Sequence, residues 1–493
     1  MLSDANQNTI DPLGWQFDHS YSRLTEALFT PQMPVQVANP HLVVFNEQLA
    51  SSLGLESFES DPARWLEQLS GNKPAPTAKP LAQAYAGHQF GHFAVLGDGR
   101  ALLMGEHLSP AGARVDIQWK GTGPTPYSRR GDGRATLRSM LREYLISEAM
   151  HGLGIPTTRS LAVIATGEPV LRERRHEGAI LTRVAASHIR VGTFEYVRHF
   201  QSKEVFADFT RYVMERHDPE LLAHHQPVLS FLEAVMDRQL SLVLHWMRVG
   251  FIHGVMNTDN MSIAGETIDY GPCAWMDQYN PGTVFSSIDT QGRYAYDRQP
   301  AIAQWNLAVL ASSLLPLIQA ETKEAVEAIQ SLLSAFAARY RAGWWKMMGQ
   351  KLGFETLSDE HTALVTDLLH WMEQQEADFT QTFHMLSMPE TQHQGIYATS
   401  AFQHWYTQWK EAHMQSGNES VMIAATLRAS NPVYVPRNHL VESILDAAEK
   451  HNWQPLQEAL AVWQQPYTEQ EGKGKYEQAP EPKDEGYQTF CGT

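Results

Sequence analysis

The sequence predicts an α+β protein of two lobes, strands first and helices after. Three observations carry that prediction. From His92 to Val184, apolar residues alternate with polar ones or run in strand-length blocks separated by glycine-containing turns. From about Phe200 onward they recur at helical spacing, as in Phe231, Leu232, Val235, Met236, Leu240, Val243, Leu244 and Met247. Directly after that helix, His253 to Asp269 reads HGVMNTDNMSIAGETID, a loop rich in oxygen donors.

With 493 residues, 43% of them hydrophobic, the chain can bury a sizeable core. Its formal net charge of −17 disfavours non-specific nucleic-acid binding and a polybasic membrane patch. The opening MLSDANQNTIDPLGW has neither a basic start nor an apolar run, so no signal peptide is expected. The most apolar window, Leu307 to Ile318, is short for a bilayer span. The expected setting is therefore cytoplasmic, with neither nucleic acid nor membrane as partner. Only two cysteines occur, Cys273 and Cys491, which excludes a disulfide scaffold or a cysteine-rich zinc site. They are either an inert buried thiol and a tail thiol, or a reversible bridge from tail to loop.

Residues 1–80 mix short apolar runs with Pro and Asn and read as an N-terminal extension packed on the strand-rich lobe. Residues 81–198 form that lobe. It opens on a hairpin, His92–Leu96 and Arg100–Met104 about Gly97-Asp98-Gly99, because Asp-Gly between apolar runs is a strong turn signal. The same glycines could equally lie over phosphates, with Arg100 adding a cation. The strand Val115–Lys120 puts Val115, Ile117 and Trp119 on one face and Asp116, Gln118 and Lys120 on the other. Lys120 is then either a solvated strand end or a phosphate-binding lysine.

Gly121 to Arg134 is a loop holding Asp132 and Gly133. A helix comes next, from about Ala135 to Gly152, with Leu137, Met140, Leu141, Tyr144 and Leu145 as its stripe. Glu143 lies beside the stripe, as a surface glutamate or as a partner of Lys120. Strands Thr158–Thr166 and Val170–Val184 come after it, around Gly167-Glu168-Pro169. Arg183 and Arg190 flank the turn beyond, able to share negative charge as bidentate donors or to sit in surface ion pairs.

Residues 199–465 read as the helical lobe, with helices over 228–249, 301–315, 322–348, 358–383 and 440–451. Residues 466–493 lack periodicity and read as a mobile tail. In the loop 253–269, Met261-Ser262-Ile263 and Thr267-Ile268 flank Gly265 as in a small hairpin, which would set Asn260 and Asp269 at neighbouring ends. Two such oxygen donors can hold a hard cation such as Mg²⁺ against phosphates. The layout is similar to a protein-kinase catalytic loop, His-Arg-Asp-Leu-x-x-x-Asn, and its Asp-Phe-Gly metal site. His253 and Asn260 match both ends of that loop, and Lys120 and Glu143 match the kinase strand lysine and helix glutamate. Val255, however, stands where a kinase has its base, and valine accepts no proton. Asp259 is the nearby carboxylate able to replace it.

Taken together, Gly97-Asp98-Gly99-Arg100, Lys120-Gly121-Thr122-Gly123, Gly131-Asp132-Gly133-Arg134, His253-Gly254-Val255-Met256-Asn257-Thr258-Asp259-Asn260 and Asp269-Tyr270-Gly271-Pro272 resemble the selenoprotein O (SelO/YdiU) family. The resemblance runs from about residue 10 to Cys491-Gly492-Thr493. It implies a protein-kinase-like two-lobed fold that binds ATP in reversed orientation. It further implies transfer of AMP, rather than phosphate, to Ser, Thr or Tyr hydroxyls of target proteins, with UTP as a second donor where the base pocket is loose. The nucleotide contacts it implies are Gly97, Gly99, Arg100, Lys120, Asp132, Gly133, Arg183, Arg190 and Asp269, with Glu143 in support. Asp259 would be the proton acceptor, and Asn260 and Asp269 would hold Mg²⁺ or Mn²⁺. The resemblance also implies a redox bridge between Cys273 and Cys491, the latter at a position that is selenocysteine in many eukaryotic members. Two rival readings stay open. A γ-phosphotransferase acting on a small molecule would carry Asp where Val255 stands. A non-catalytic scaffold must explain why Lys120, Asn260 and Asp269 all stay chemically competent.

Overall fold

The structure is a computed structural model describing residues 11–318, 321–388, 394–480 and 487–489. It mixes α and β around a nine-stranded antiparallel sheet. Strands β1 (Phe17–Asp18), β2 (Phe29–Pro31), β3 (His41–Phe45) and β4 (Leu81–Gln83) precede a separate hairpin of β5 (Ala86–Gln89) and β6 (His92–Val95). The sheet is completed by β7 (Ala101–Leu108), β8 (Arg114–Lys120), β9 (Ala135–Thr136), β10 (Arg159–Leu171) and β11 (Arg175–Ala185). Its path is β2-β4-β7-β8-β11-β10-β3, with β1 on β7 and β9 on β11. The helices are α1 (Glu47–Leu53), α2 (Pro62–Leu69), α3 (Leu137–Gly152), α4 (Val191–Phe200), α5 (Lys203–His217), α6 (Pro227–Val249) and α7 (Gln299–Leu314). Then come α8 (Thr322–Lys351), α9 (Thr362–Gln374), α10 (Phe379–Met385), α11 (Ser400–Gln415), α12 (Ser420–Ser430), α13 (Asn438–Ala448) and α14 (Gln454–Trp463).

Residues before 80 supply three strands to the sheet and cover one of its faces. There Leu49, Leu53, Trp65 and Leu69 of α1 and α2 share a core with Leu102, Ile117, Trp119 and Ile164. A second core joins α3 to the sheet residues Val163, Ala179 and Leu181 and to α13 and α14 from the far end of the chain. The largest core belongs to α4 through α12, and includes Phe194, Trp246, Leu307 and Trp371.

Several expectations are corrected here. The hairpin about Gly97-Asp98-Gly99 does not form. β6 instead turns back on β5 through Phe90-Gly91, both at positive φ (51° and 87°), the two-residue turn whose twist suits flanking strands. Asp98 is drawn inward, where its carboxylate accepts from the Gln83 N–H at 3.1 Å and from Gln118 at 3.3 Å. Gly167-Glu168-Pro169 is an irregularity within one long β10, and the chain reverses later, at 172–174. The hairpin about Gly265 is also absent, because its two flanks find other partners: Ser262 bridges Arg190 and Thr267 bridges Thr157. The single helix expected over 358–383 is two, α9 and α10, parted where Glu376 takes a left-handed φ of 49°. The tail is packed where it is described: Tyr476 is buried in the core of α13 and α14, and Thr489 bridges Ser286. Tyr296–Leu317 has the length and apolarity of a membrane span, longer than the sequence window suggested, and packs Ala303, Leu307, Leu310 and Leu314 into the largest core.

Candidate active site

Strand β8 alternates, and Val115, Ile117 and Trp119 take the face under α1 and α2. Gln118 and Lys120 therefore turn to the face covered by α3, where they are 0% and 6% exposed. The start of α3 is capped by Thr136, whose side chain accepts from the Ser139 N–H. Lys120 Nζ donates to Glu143 Oε2 on α3 and to Asp269 Oδ1, each at 2.7 Å. Arg183 pairs in register with Gln118 across β11 and β8. It donates to Glu143 Oε1 at 2.8 Å, to Asp269 Oδ1 at 2.7 Å and to Gln118 Oε1 at 3.2 Å. Two cations and two carboxylates thus neutralise one another in the interior. Burial, then the neighbouring Arg183, lowers the Lys120 ammonium. Burial pushes both carboxylates up, but Arg183 and Lys120 outweigh it, leaving Glu143 below and Asp269 well below the usual range.

The two loops meet through a short ribbon rather than the expected hairpin. α6 ends at Gly250, in the left-handed region at φ 73°, and releases the chain into β12 (Phe251–Ile252). β12 pairs with β13 (Ala274–Trp275), which sets the segment from His253 beside the segment from Asp269. His253 is buried, and its Nε2 bonds the Ile268 carbonyl at 3.0 Å, tying the loops together. Asn260 Nδ2 donates to the Val255 carbonyl at 3.0 Å, so its amide oxygen is the atom left for a ligand. Asp269 has a φ of 64°, and both of its cation partners use Oδ1, leaving Oδ2.

Asp259 has a different environment. Its Oδ1 is buried without a hydrogen-bond partner among the described residues. Strand β5 lies directly against it, and a Cβ at Gly87 would stand 2.3 Å from that oxygen, so a larger residue there would push the carboxylate aside. Burial pushes the Asp259 carboxyl up to about 6, against the pull of Arg190.

Arg190 completes this side. It is 2% exposed, its guanidinium lies 4.4 Å from the Tyr85 ring centroid, and Nη1 is 3.8 Å from Asp98 Oδ1. Its Nε and Nη1 have no hydrogen-bond partner among the described residues, and buried guanidinium donors of this kind suit a phosphate. Burial first, opposed by Arg190, pushes Asp98 up to about 6. Gly97, at φ 148°, packs so closely on the Tyr127 ring that a Cβ would stand 2.4 Å away. Gly99 accepts from the Ser128 hydroxyl through its carbonyl, and the charge of Arg100 is felt at Lys120.

Asp132 is exposed and bound to Arg172 at 2.9 Å and 3.1 Å, while Gly133 abuts the Gly123 carbonyl. Among the described residues no hydrogen bond links that pair to the Lys120 cluster. Cys273 is buried, and Cys491 lies outside the described residues. Sequence reasoning missed Tyr85, Gln118 and the inward role of Asp98. Only Gln118 had a signal, since alternation places it on the face of Lys120.

The family model described as "Protein adenylyltransferase SelO" matches residues 13–464. The chain is 50% identical over 481 residues to the protein nucleotidyltransferase YdiU of Bacillus cytotoxicus, covering 97% of this chain and 98% of that one. It is 50% identical over 485 residues to that of Nitrosococcus oceani, covering 98% of each. A third relative, from Brevibacillus brevis, is 50% identical over 488 residues, covering 98% of this chain and 99% of its own. Similarity this high over nearly the whole length takes in every loop described above, and the chain belongs to the SelO family of protein adenylyltransferases, a family of nucleotidyltransferase enzymes.

Proposed function

We propose that the protein transfers AMP from ATP to hydroxyl side chains of target proteins, on a protein-kinase-like framework whose lobes are residues 81–198 and 199–465. The observation that carries this reading is a complete phosphate-handling set, Lys120, Glu143 and Asp269, combined with a valine at the kinase base position and a proton-accepting Asp259 four residues on. The relatives' names, protein nucleotidyltransferase, support the same reaction class.

In this reading Asp259 takes the proton of the acceptor hydroxyl as its oxygen attacks the α-phosphorus. The bond to pyrophosphate breaks, and the charge growing on that leaving group is met by Lys120, Arg183 and Arg190, whose positions are fixed before the reaction. The donor set fits a hard divalent cation: the Asn260 amide oxygen is oriented by its own Nδ2 bond, and Asp269 is ionised with Oδ2 to spare. Mg²⁺ or Mn²⁺ held there would neutralise phosphate charge. Gly97, Gly99, Arg100, Asp132 and Gly133 would line the nucleotide, with UTP as an alternative donor.

Redox control is part of the proposal. Thr489 Oγ1 donates to the Pro272 carbonyl at 2.5 Å, which brings the tail to the residue before Cys273 and supports a reversible tie to Cys491. A Cys491→Ser protein with an unchanged response to oxidant and reductant would remove the tail from that role. The central test is incubation with metal and ATP labelled on the α- or the γ-phosphate. Transfer of α-label alone to protein is expected. Transfer of γ-label would make the enzyme a kinase with an unusual base.

A further inference from the structure

A cleft of about 190 Å³ opens in the helical part of the molecule, on groups the reaction above does not use. Five of its walls are aromatic: Tyr279 and Tyr296 from the segment after β13, Tyr340 and Trp344 from α8, and Phe379 at the start of α10. Asp297, which is exposed, adds a carboxylate, and the remaining lining side chains are apolar. Among the described residues no lysine, arginine or histidine lines it.

The rings are held rather than loose. Tyr279 stacks on Phe379 with centroids 5.8 Å apart, and Tyr296 meets Phe379 edge-on at 6.1 Å. The Tyr296 hydroxyl donates to the Met247 carbonyl at 2.6 Å, and the Asp297 N–H donates to the Pro281 carbonyl at 3.0 Å, which fixes the rim. Negative potential reaches the interior: burial first, then the charges of Glu373 and Asp297, hold the Tyr279 phenol up at about 12. Lys351 lies 5.0 Å from the Phe379 centroid, but it is buried, and burial followed by Arg248 pushes its ammonium well below the ordinary range. Its Nζ donates to Asn431 Oδ1 at 3.0 Å, and Lys351 is not among the residues that line the cleft.

Aromatic faces carry the negative side of their quadrupole, and a carboxylate at the mouth adds full charge. An anion would meet repulsion from both, and a neutral apolar ligand would make no use of the carboxylate. We propose that this cleft binds an organic cation, an ammonium head either quaternary or primary, with its substituents against the rings and its charge toward Asp297. That chemistry has two sources, a free small ammonium compound or a lysine side chain presented by a protein. The second would engage the segment that leads out of the Asp269 loop.

The test is calorimetric titration of the full chain with three probes. They are choline, its neutral isostere in which carbon replaces nitrogen, and a lysine blocked at both its amino and carboxyl ends. At least one ammonium probe is expected to saturate, with the isostere about tenfold weaker or worse. Saturation by choline alone points to a free ligand, and by the blocked lysine alone to a polypeptide. Trp344→Ala and Asp297→Asn are each expected to weaken binding several-fold, while Trp344→Phe, which keeps an aromatic face and guards against misfolding, retains it. No saturation by either ammonium up to about 0.1 M, equal binding of the isostere, or unchanged binding in Trp344→Ala would each overturn the assignment. None of these outcomes depends on nucleotidyl transfer.

Discussion

On one side of the site, Lys120, Arg183, Glu143 and Asp269 pair cation with carboxylate through hydrogen bonds to one another. On the other, Arg190 and Asp259 carry buried polar atoms with no hydrogen-bond partner among the described residues. Burial is common to both sides, yet it drives their carboxylates apart. Asp269 has two cations on one oxygen and stays ionised, while Asp259 feels Arg190 only at longer range and rises to about 6. In the proposed reaction these two carboxylates of one loop region take opposite uses, Asp269 holding a cation and Asp259 receiving a proton. The paired side has its protein partners in place on folding, whereas the unpaired side keeps buried polar atoms whose partners, in the proposed reaction, are the nucleotide and the acceptor hydroxyl.

The largest expected effect breaks the comparison at its centre. Asp269→Ala should abolish AMP transfer, by at least about a hundredfold, measured with α-labelled ATP at fixed metal concentration. Unchanged transfer would move the metal and phosphate site elsewhere. Next, Glu143→Gln leaves Lys120 and Arg183 buried with one carboxylate between them, and should cost about 3 kcal/mol of stability, read from the denaturant midpoint. A stability equal to the parent's would show that the paired side is not a framework. Arg190→Ala tests the contrast from the other side. It should weaken ATP binding by about tenfold or more with far less loss of stability than Glu143→Gln, because its nearest carboxylate, Asp98, lies 3.8 Å away and keeps its bonds from Gln83 and Gln118. A stability loss as large as that of Glu143→Gln would erase the distinction.

Much of the paired side was legible in the sequence. Alternation in β8 fixed the face of Lys120, the stripe of α3 set Glu143 at its edge, and a motif marked Asp269; periodicity left the lysine and the glutamate open as surface residues, and the family resemblance implied their pairing. The long helices α6, α7, α8 and α13 were legible from periodicity. What escaped was set by long-range contacts. Asp98 carries the turn signal of Asp-Gly, yet Gln83 and Gln118 draw it inward, so the hairpin forms one strand earlier. The flanks of Gly265 alternate as strands should, but Arg190 and Thr157 claim them first. The loops meet instead through two residues each of β12 and β13, too short to leave a pattern. Tyr85 under Arg190 has no signature at all, since its role exists only once β5, which it precedes, and α4, which Arg190 precedes, are neighbours.

The smallest effect concerns Asp259 and depends on sign. Its folded pKa, about 6, lies above the ordinary 3.8, so between those values the folded state holds a proton that the unfolded state has lost. The stability due to this group is fully present below pH ~4 and is lost as pH rises through about 6. Above that range the charged carboxylate costs the folded state, and Asp259→Asn should recover that cost. Because its Oδ1 is buried, the gain should follow the shift itself, about 1–2 kcal/mol at pH 8, and should vanish at pH 4. Activity moves the other way. As the base, Asp259 must be ionised, so kcat/KM of the parent should fall about tenfold per pH unit below about 6. Asp259→Asn should lose transfer at every pH while melting at or above the parent temperature at pH 8. A variant that loses activity and stability together would place Asp259 with the framework, and one that gains stability as activity disappears would place it on the side where chemistry enters.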